Sequence, residues 1–283
     1  MAEHQAAAQG HTPSRVVVLC DNETADQRCG CEWGLALAVD LGGHGLWLWD
    51  TGQTGLFVAN ARALGLDVGQ ARGLALSHGH YDHTGGLAAL CSGTSFRAPI
   101  HAHPACALAR FAEETGGKPR RSIGPPSPLP EFVPATPLTR LAPGLALVTD
   151  IPRQPGHFQA VRGFSFNPDG TGPDCVPDDA FLVMDSRHGA VVILGCCHSG
   201  LANSLCCLRE RLGIERVHAV MGGLHLFKAG PQAVEEAARA IEDFGVRLLI
   251  AGHCTGADRV AMLKARLAGR VVLPLAAGQI WSF

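Results

Sequence analysis

The sequence predicts a layered α/β fold, in which β-sheets carry helices on their outer faces. Apolar runs rich in β-branched residues alternate with stretches of helical periodicity in both halves of the 283-residue chain. A second observation concerns four histidines that each follow an apolar run, in loops that contain glycine: His78, His198, His225 and His253. Loops at the carboxyl ends of strands converge on one edge of such folds, so we expect these histidines to share one pocket.

The first half is predicted to combine short strands, tight turns and helices. The elements in chain order are a strand at 15–21, a hairpin at 34–52 that turns at "GGHG", a strand at 71–80, a helix at 84–93, a strand at 98–104 and a helix at 105–115. The segment 118–143 is rich in proline and is therefore predicted to be a long connecting loop, either a cover for the site or a surface crossing.

The second half repeats the alternation without a visible sequence repeat. A strand at 144–150 resumes the pattern, and the later elements are a strand pair at 179–200, a helix at 201–213, a strand and loop at 217–226, a helix at 232–245, a strand and loop at 246–256, a helix at 257–269 and a closing strand at 270–275. We expect a single domain over 15–283, preceded by a disordered tail at 1–14.

Composition and charge narrow the function classes. The formal net charge is −2 and no run of Lys or Arg is present, so a nucleic-acid partner is not expected. The apolar runs are too short for a membrane span, and the first residues lack a secretory leader pattern. The eleven cysteines are expected to be reduced thiols in a cytoplasmic protein, with a structural zinc at Cys29 and Cys31 as the alternative.

The stretch "SHGHYDHTGGL" at 77–87 carries the strongest functional signal. It places His78, His80, Asp82 and His83 within six positions. Residues two apart in extended chain point the same way, so His78 and His80 suit one ion, while Asp82 and His83 at the next turn suit a second. Imidazole nitrogen and carboxylate oxygen are ligands for zinc, iron or manganese.

This stretch resembles the HxHxDH signature of the metallo-β-lactamase superfamily. The further stretches that carry the resemblance are "DNET" (21–24), "DTGQT" (50–54), "IPR" (151–153), "DD" (178–179), "LGCCHSG" (194–200), "GGLHL" (222–226) and "AGHCTG" (251–256). Together they look like the branch named for 7,8-dihydropterin-6-yl-methyl-4-(β-D-ribofuranosyl)aminobenzene 5′-phosphate synthase. The resemblance implies a four-layer αβ/βα sandwich with a two-metal site at one edge.

The resemblance also implies a ligand set. His78 and His80 would bind the first metal, Asp82, His83 and His253 the second, and His198 would complete the set. The chain departs from the superfamily's pattern because it has no obvious bridging aspartate. The candidates to replace it are His198, Cys197, Asp178 and Asp179, and a site with one ion stays an alternative to a site with two.

Further residues receive roles outside the ligand set. Asp50 is expected to orient a ligand histidine, and the alternative is a turn cap. Arg153 and His225 are expected to contact the substrate, Arg153 because guanidinium matches anionic groups. His101 and His103 copy the HxH spacing but lack a following Asp-His, so we expect no ligand role for them.

The expected function is that of a metal-dependent hydrolase, or transferase, acting on a small anionic or phosphorylated substrate through metal-activated water. Asp82 would position the water or carry a proton. Two divalent ions are expected, with zinc favoured and manganese or iron as alternatives. Two other functions stay open: a mononuclear non-haem iron dioxygenase, and a non-catalytic metal-dependent ligand-binding protein. The oligomeric state is not predicted.

Overall fold

A computed structural model describes residues 14–283. Two seven-stranded sheets dominate it. The first sheet has the strand order β17 (Ile280–Ser282), β1 (Arg15–Cys20), β2 (Ala36–Asp40), β3 (Leu46–Trp49), β4 (Gly73–Ala75), β5 (Ile100–Ala102) and β8 (Val133–Pro134). The second has the order β16 (Val271–Pro274), β15 (Leu248–Gly252), β14 (Val217–Gly223), β13 (Gly189–Leu194), β12 (Phe181–Ser186), β10 (Leu145–Val148) and β9 (Leu138–Ala142).

Each sheet combines antiparallel and parallel strand pairs. In the first, β1, β2 and β3 are antiparallel neighbours, and β3, β4, β5 and β8 run parallel. In the second, β9, β10, β12 and β13 are antiparallel, and β13 to β16 run parallel. The parallel strands of both sheets therefore deliver several loops to one edge, as the sequence predicted.

The sheets pack face to face around an apolar core. Val16, Leu37 and Trp49 of the first sheet belong to the same buried cluster as Met221 and Ile250 of the second. A single core between the sheets follows from the alternation of side chains along their strands.

Helices cover the outer faces. The α-helices are α1 (Leu56–Ala63), α2 (Tyr81–Thr84), α3 (Leu87–Gly93), α4 (Leu201–Leu212), α5 (Pro231–Asp243) and α6 (Ala257–Arg266). Phe57 of α1 and Leu87 of α3 pack on the first sheet, and Leu205, Ile241 and Leu263 of α4 to α6 pack on the second. The order of layers is therefore helix, sheet, sheet, helix, which confirms the four-layer αβ/βα prediction.

A third, small sheet was not predicted. It contains β6 (Phe111–Ala112), β7 (Arg121–Ser122) and β11 (Phe164–Ser165). The predicted helix at 105–115 is wrong, because the chain forms a 3₁₀ turn at Pro104–Ala107 and then enters β6. Arg110 is fully buried there and pairs with Asp174 and Asp178, and such tertiary contacts outweigh a weak helix propensity.

The proline-rich segment 118–143 holds no α-helix, but it is not simply a loop. Its residues form β7, then β8 at the edge of the first sheet, then β9 at the edge of the second. Proline is compatible with edge strands because these need not donate every backbone N–H. The predicted closing strand at 270–275 is also not the last, since β17 follows it and pairs with β1.

Most of the predicted tail at 1–14 lies outside the described residues, which begin at Ser14. Among residues 14–283, none of the helices combines the length and apolar character that a bilayer crossing requires.

One hydrogen bond across the sheet interface provides a test of this packing. The indole N–H of Trp49 donates to the carbonyl of Leu194 at 3.1 Å, whereas the buried Nε1 of Trp47 has no partner among the described residues. We expect Trp49→Phe to lower the free energy of unfolding by about 1 kcal/mol more than Trp47→Phe, because only Trp49 loses a buried hydrogen bond. Urea denaturation measures both, and equal losses would contradict the inter-sheet contact.

Candidate metal centre

The histidine motif occupies the turn that follows β4. The chain bends at Ser77 and Gly79, His80 is extended, and α2 then carries Asp82 and His83. Gly79 is required at this turn, since a Cβ on it would lie 2.2 Å from the carbonyl oxygen of Cys106. The backbone N–H of Gly79 donates to Asp178 at 2.7 Å, so the turn is held between two other loops.

The first group of candidate ligands contains three imidazoles. His78 Nε2 lies 2.9 Å from His80 Nδ1 and 3.2 Å from His198 Nε2. The candidate ligand atoms of the three residues all lie within 4.8 Å of one another, and all three residues are buried. His198 reaches this point from the loop after β13, so the predicted convergence of strand-end histidines holds here.

The second group adjoins the first. His83 Nε2 lies 3.2 Å from His253 Nε2, and His253 Nε2 lies 3.5 Å from Asp82 Oδ2. The ligand atoms of Asp82, His83 and His253 also lie within 4.8 Å of one another. The ring centroids of His78 and His83 are 4.2 Å apart, which makes the two groups neighbours.

These imidazoles suit a cation. Burial, reinforced by nearby positive charges, holds the pKa of His78 and His198 well below the usual value, so both present lone pairs. Although burial lowers the pKa of His253, the charges of Cys254 and Asp82 raise it to about 9, and a bound ion would replace that proton. Nitrogen atoms about 3 Å apart cannot all be satisfied by shared protons, whereas a divalent ion would accept every lone pair. Two metal subsites, one of three nitrogens and one of two nitrogens and an oxygen, fit zinc and related ions.

The other nitrogen of each ligand histidine has a partner that sets its direction. The Asp50 carboxylate accepts a hydrogen bond from His83 Nδ1 at 2.7 Å, as predicted for a residue that orients a ligand. Asp50 also accepts from the Ser77 hydroxyl, whose oxygen lies 2.9 Å from His78 Nδ1. His198 Nδ1 donates to the carbonyl of Ala160 at 2.7 Å. These contacts leave Nε2 of the three histidines facing the site.

Two further contacts complete this set of supports. His253 Nδ1 lies 3.1 Å from Asn22 Oδ1, a contact that the sequence analysis did not predict. His80 is different, since its Nδ1 faces the site and its buried Nε2 has no partner among the described residues.

Asp178 and Asp179 support the ligand loops and do not join either group. Asp178 pairs with the buried guanidinium of Arg110 and accepts from Gly79, as described above. Asp179 accepts from the backbone N–H groups of His198 at 3.0 Å and of Ser199 at 2.7 Å. The two are therefore corrected as candidates for the bridging ligand, because neither belongs to a group of neighbouring ligand atoms among the described residues.

The adjacent cysteines point in opposite directions. Cys197 belongs to the core under α4, with its Sγ 3.6 Å from the Ser204 hydroxyl, so its proposed place in the site is also corrected. Cys196, which the sequence analysis did not select, lies with its Sγ 3.1 Å from His83 Nε2. No sequence signal distinguishes two neighbouring cysteines, because the local backbone turn decides which one faces the site.

Arg153 and His225 differ in how the protein engages their side chains. The Arg153 guanidinium donates to the carbonyls of Cys175 and Val176 and to the Ser199 hydroxyl. Each guanidinium nitrogen therefore makes one contact with the protein, so Arg153 braces these loops, and its contact with a substrate stays a prediction. The His225 ring lies 4.4 Å from that of His198, and its Nδ1 has no partner among the described residues.

His101 and His103 stay outside both groups. His101 lies beside Trp47 with ring centroids 6.0 Å apart, and His103 Nε2 lies 3.3 Å from Asp150.

Trp33 was missed by the sequence analysis: its indole N–H donates to Asp82 Oδ2 at 2.9 Å, and its side chain is exposed. A single tryptophan in a loop carries no pattern that would have revealed this contact.

Comparison with known proteins shows similarity to the metallo-beta-lactamase superfamily. The family model described as the metallo-beta-lactamase superfamily matches residues 34–166. A protein of Methanocaldococcus jannaschii, 7,8-dihydropterin-6-methyl-4-(beta-D-ribofuranosyl)-aminobenzene-5'-phosphate synthase, is 27% identical over 206 residues, which are 64% of this chain. The match spans 65% of that relative's own length.

Two solved structures extend the comparison over nearly the whole chain. A crystal structure of a metal-dependent hydrolase of the beta-lactamase superfamily is 27% identical, covers 95% of this chain and 99% of its own, and has a TM-score of 0.81. The zinc-bound PqqB of Methylobacterium extorquens is 11% identical, covers 95% of this chain and 100% of its own, and has a TM-score of 0.52. The second likeness concerns the fold alone.

The contact between Asp50 and His83 generates a prediction about metal affinity. Asp50→Asn removes the carboxylate that fixes His83 Nε2 toward the site, so we expect metal binding to weaken about 10–100-fold. Competition with a chromophoric chelator measures this change. The exposed Asp67, which caps a 3₁₀ turn through Gly69, provides the control Asp67→Asn. An unchanged dissociation constant in the folded Asp50→Asn protein would refute the orienting role.

Proposed function

We propose that this chain, which has the metallo-β-lactamase fold, is a metal-dependent hydrolase or transferase that acts on a small anionic substrate. The observation that carries the proposal is the pair of adjoining ligand groups, His78, His80 and His198 beside Asp82, His83 and His253. Two divalent ions held there, with zinc favoured, would supply a nucleophile from water at neutral pH and polarise the electrophilic atom of the substrate.

Asp82 is proposed to have the central role among the side chains. Burial alone would raise the pKa of Asp82. The charge of His83 and the charge and hydrogen bond of His253 outweigh burial and hold this pKa well below its usual range. Asp82 therefore stays ionised and accepts hydrogen bonds, which suits it to orient the attacking water. The Trp33 N–H occupies one side of Oδ2 and restricts the directions from which Asp82 accepts.

The proposed substrate class rests on two lines of support. The curated relative is named for a phosphorylated product and is called a synthase, which keeps both a phosphorylated substrate and a transfer reaction in the proposal. On the protein side, His225 is the residue proposed to contact the anionic group. Its half-buried ring lies beside the ligand His198, and because its Nδ1 is buried, the contact with the anionic group is proposed through Nε2.

A reducing compartment, the cytoplasm, suits this centre. The Sγ of Cys254 lies 3.6 Å from the carbonyl oxygen of Cys196, and both thiols are buried next to the candidate ligands. Neighbouring thiols of this kind persist where glutathione and thioredoxin keep cysteines reduced.

The first prediction of the proposal concerns metal content. Protein purified without chelator or affinity metal is expected to hold about two zinc ions per chain by plasma mass spectrometry. His78→Ala and His253→Ala each remove a ligand and are expected to lower that content. His188 lies exposed in the turn between β12 and β13, so His188→Ala is the control. Unchanged stoichiometry in either ligand variant would remove that residue from the site, and about one iron per chain would favour the dioxygenase function instead.

The second prediction concerns turnover. Metal-loaded protein is expected to hydrolyse members of a panel of phosphate mono- and diesters and carboxylic esters. Asp82→Asn is expected to lower kcat about 10²–10⁴-fold, as for the loss of a group that orients water or moves its proton. The exposed Asp185 of β12 provides the control Asp185→Asn. Tight binding of a panel compound without any turnover would identify a ligand-binding protein and contradict the proposal.

A further inference from the structure

The ring of Phe164, in the small third sheet, packs against the first group of candidate ligands. Its centroid lies 5.2 Å from that of His80 and 5.6 Å from that of His198, and both ring pairs meet edge to face. Phe164 is half-buried, whereas His78 and His198 have no exposed surface. The phenyl ring therefore lies between part of the first group and solvent.

His80 depends on packing more than the other candidate ligands do. The four other candidate ligand histidines each have a hydrogen-bonding partner at the ring nitrogen that faces away from the site. The buried Nε2 of His80 has no such partner among the described residues. An imidazole without this hydrogen bond is held in direction by the side chains packed around it. Phe164 supplies such packing from outside the ligand set.

The backbone of Phe164 is anchored to the buried ion pairs of Arg110. The backbone N–H of Asp174 donates to the Phe164 carbonyl at 3.1 Å, and the Asp174 carboxylate pairs with Arg110 at 2.9 Å. The same guanidinium pairs with Asp178, which accepts from the N–H of Gly79 in the histidine turn. Parting a buried ion pair is costly because it leaves a charge without a partner. One guanidinium thus fixes Phe164 and the histidine turn relative to each other.

The second group of candidate ligands meets solvent more directly. Asp82 is the most exposed candidate ligand, at 7%. The indole that donates to its Oδ2, that of Trp33, is itself exposed. A small molecule from solvent therefore reaches the Asp82 carboxylate with less movement of the protein than it would need to reach His78 or His198.

We propose that Phe164 is a positioning residue that holds the His80 ring by packing and closes the first subsite from solvent. An ion bound there is released slowly, whereas an ion bound by the second group is released quickly. This inference rests on the metal centre of the proposed function and makes its two subsites unequal. Apolar side chains around a metal site control the access of water to it, so release from the first subsite requires the chain around Phe164 to open.

Release of zinc to an excess of a chromophoric chelator tests this inference without any substrate. Stopped-flow absorbance of the zinc-loaded protein is expected to show two phases, each of about one ion per chain. His253→Ala removes a ligand of the second group, so it is expected to lose the fast phase and keep the slow one. This variant assigns the slow phase to the first subsite.

Substitution of Phe164 is expected to change the slow phase alone. Phe164→Ala should raise the slow rate at least about tenfold and leave the fast rate unchanged. Phe164→Leu removes less apolar volume, so its slow rate should lie between those of the unsubstituted protein and the alanine variant, and it carries the test if Phe164→Ala does not fold. Phe227→Ala is the control, because it removes an exposed phenyl ring from the loop that follows His225, and both of its rates should be unchanged.

Several outcomes would overturn the inference and leave the metal centre intact. They are release of both ions in a single phase, a slow rate that is unchanged in the folded Phe164 variants, and an equal rise of both rates in these variants. A His253→Ala protein that keeps the fast phase and loses the slow one would also overturn it. Protein that holds no zinc after loading would overturn both the inference and the proposed function.

Discussion

The structure depends on holding buried imidazole lone pairs against one another. His78 Nε2 faces His198 Nε2 at 3.2 Å, and His83 Nε2 faces His253 Nε2 at the same distance. Each pair of nitrogens needs a proton or a cation between them, and each ring is free to turn away unless its other nitrogen is held. The two packed sheets supply the required rigidity, because the loops that carry these histidines begin at the ends of buried strands whose side chains interlock in one core.

Buried carboxylates do much of this holding without being ligands. Asp50 fixes the His83 ring, Asp178 fixes the backbone of the histidine turn, and Asp179 fixes the backbone at His198. Each carboxylate is satisfied by donors of the protein, which is the condition under which a buried charge is tolerated. Four loops distant in sequence are therefore joined by short polar contacts, and the positions of His78, His83 and His198 depend on residues that the ion itself would not touch.

The sequence was sufficient for the parts of the site that follow local or strand-end patterns. His78, His80, Asp82 and His83 form one motif, and His198 and His253 were found because each follows an apolar run. The residues that were missed or misplaced depend on tertiary geometry. The φ of Cys197 decides which of two adjacent cysteines faces the site, and carbonyls from a distant loop engage Arg153. Burial of Arg110 likewise replaces a predicted helix by a short strand, since ion pairs formed only in the fold outweigh local propensity.

The candidate ligands differ in how far they are exposed to solvent. His78, His83 and His198 are completely buried, and what exposure the candidate ligands have lies at Asp82, His80 and His253. The most exposed candidate ligand, Asp82, lies beside the loop of Trp33, whose side chain is 44% exposed and lies 5.3 Å from the His253 ring. Proteins of one fold can catalyse different reactions with a site built at the same strand ends. The loop that carries Trp33 holds none of the candidate ligands, so the metals do not constrain its sequence. Under the proposed function, the loop that carries Trp33 is therefore expected to set the choice of substrate, while the ligands beneath it hold the metals.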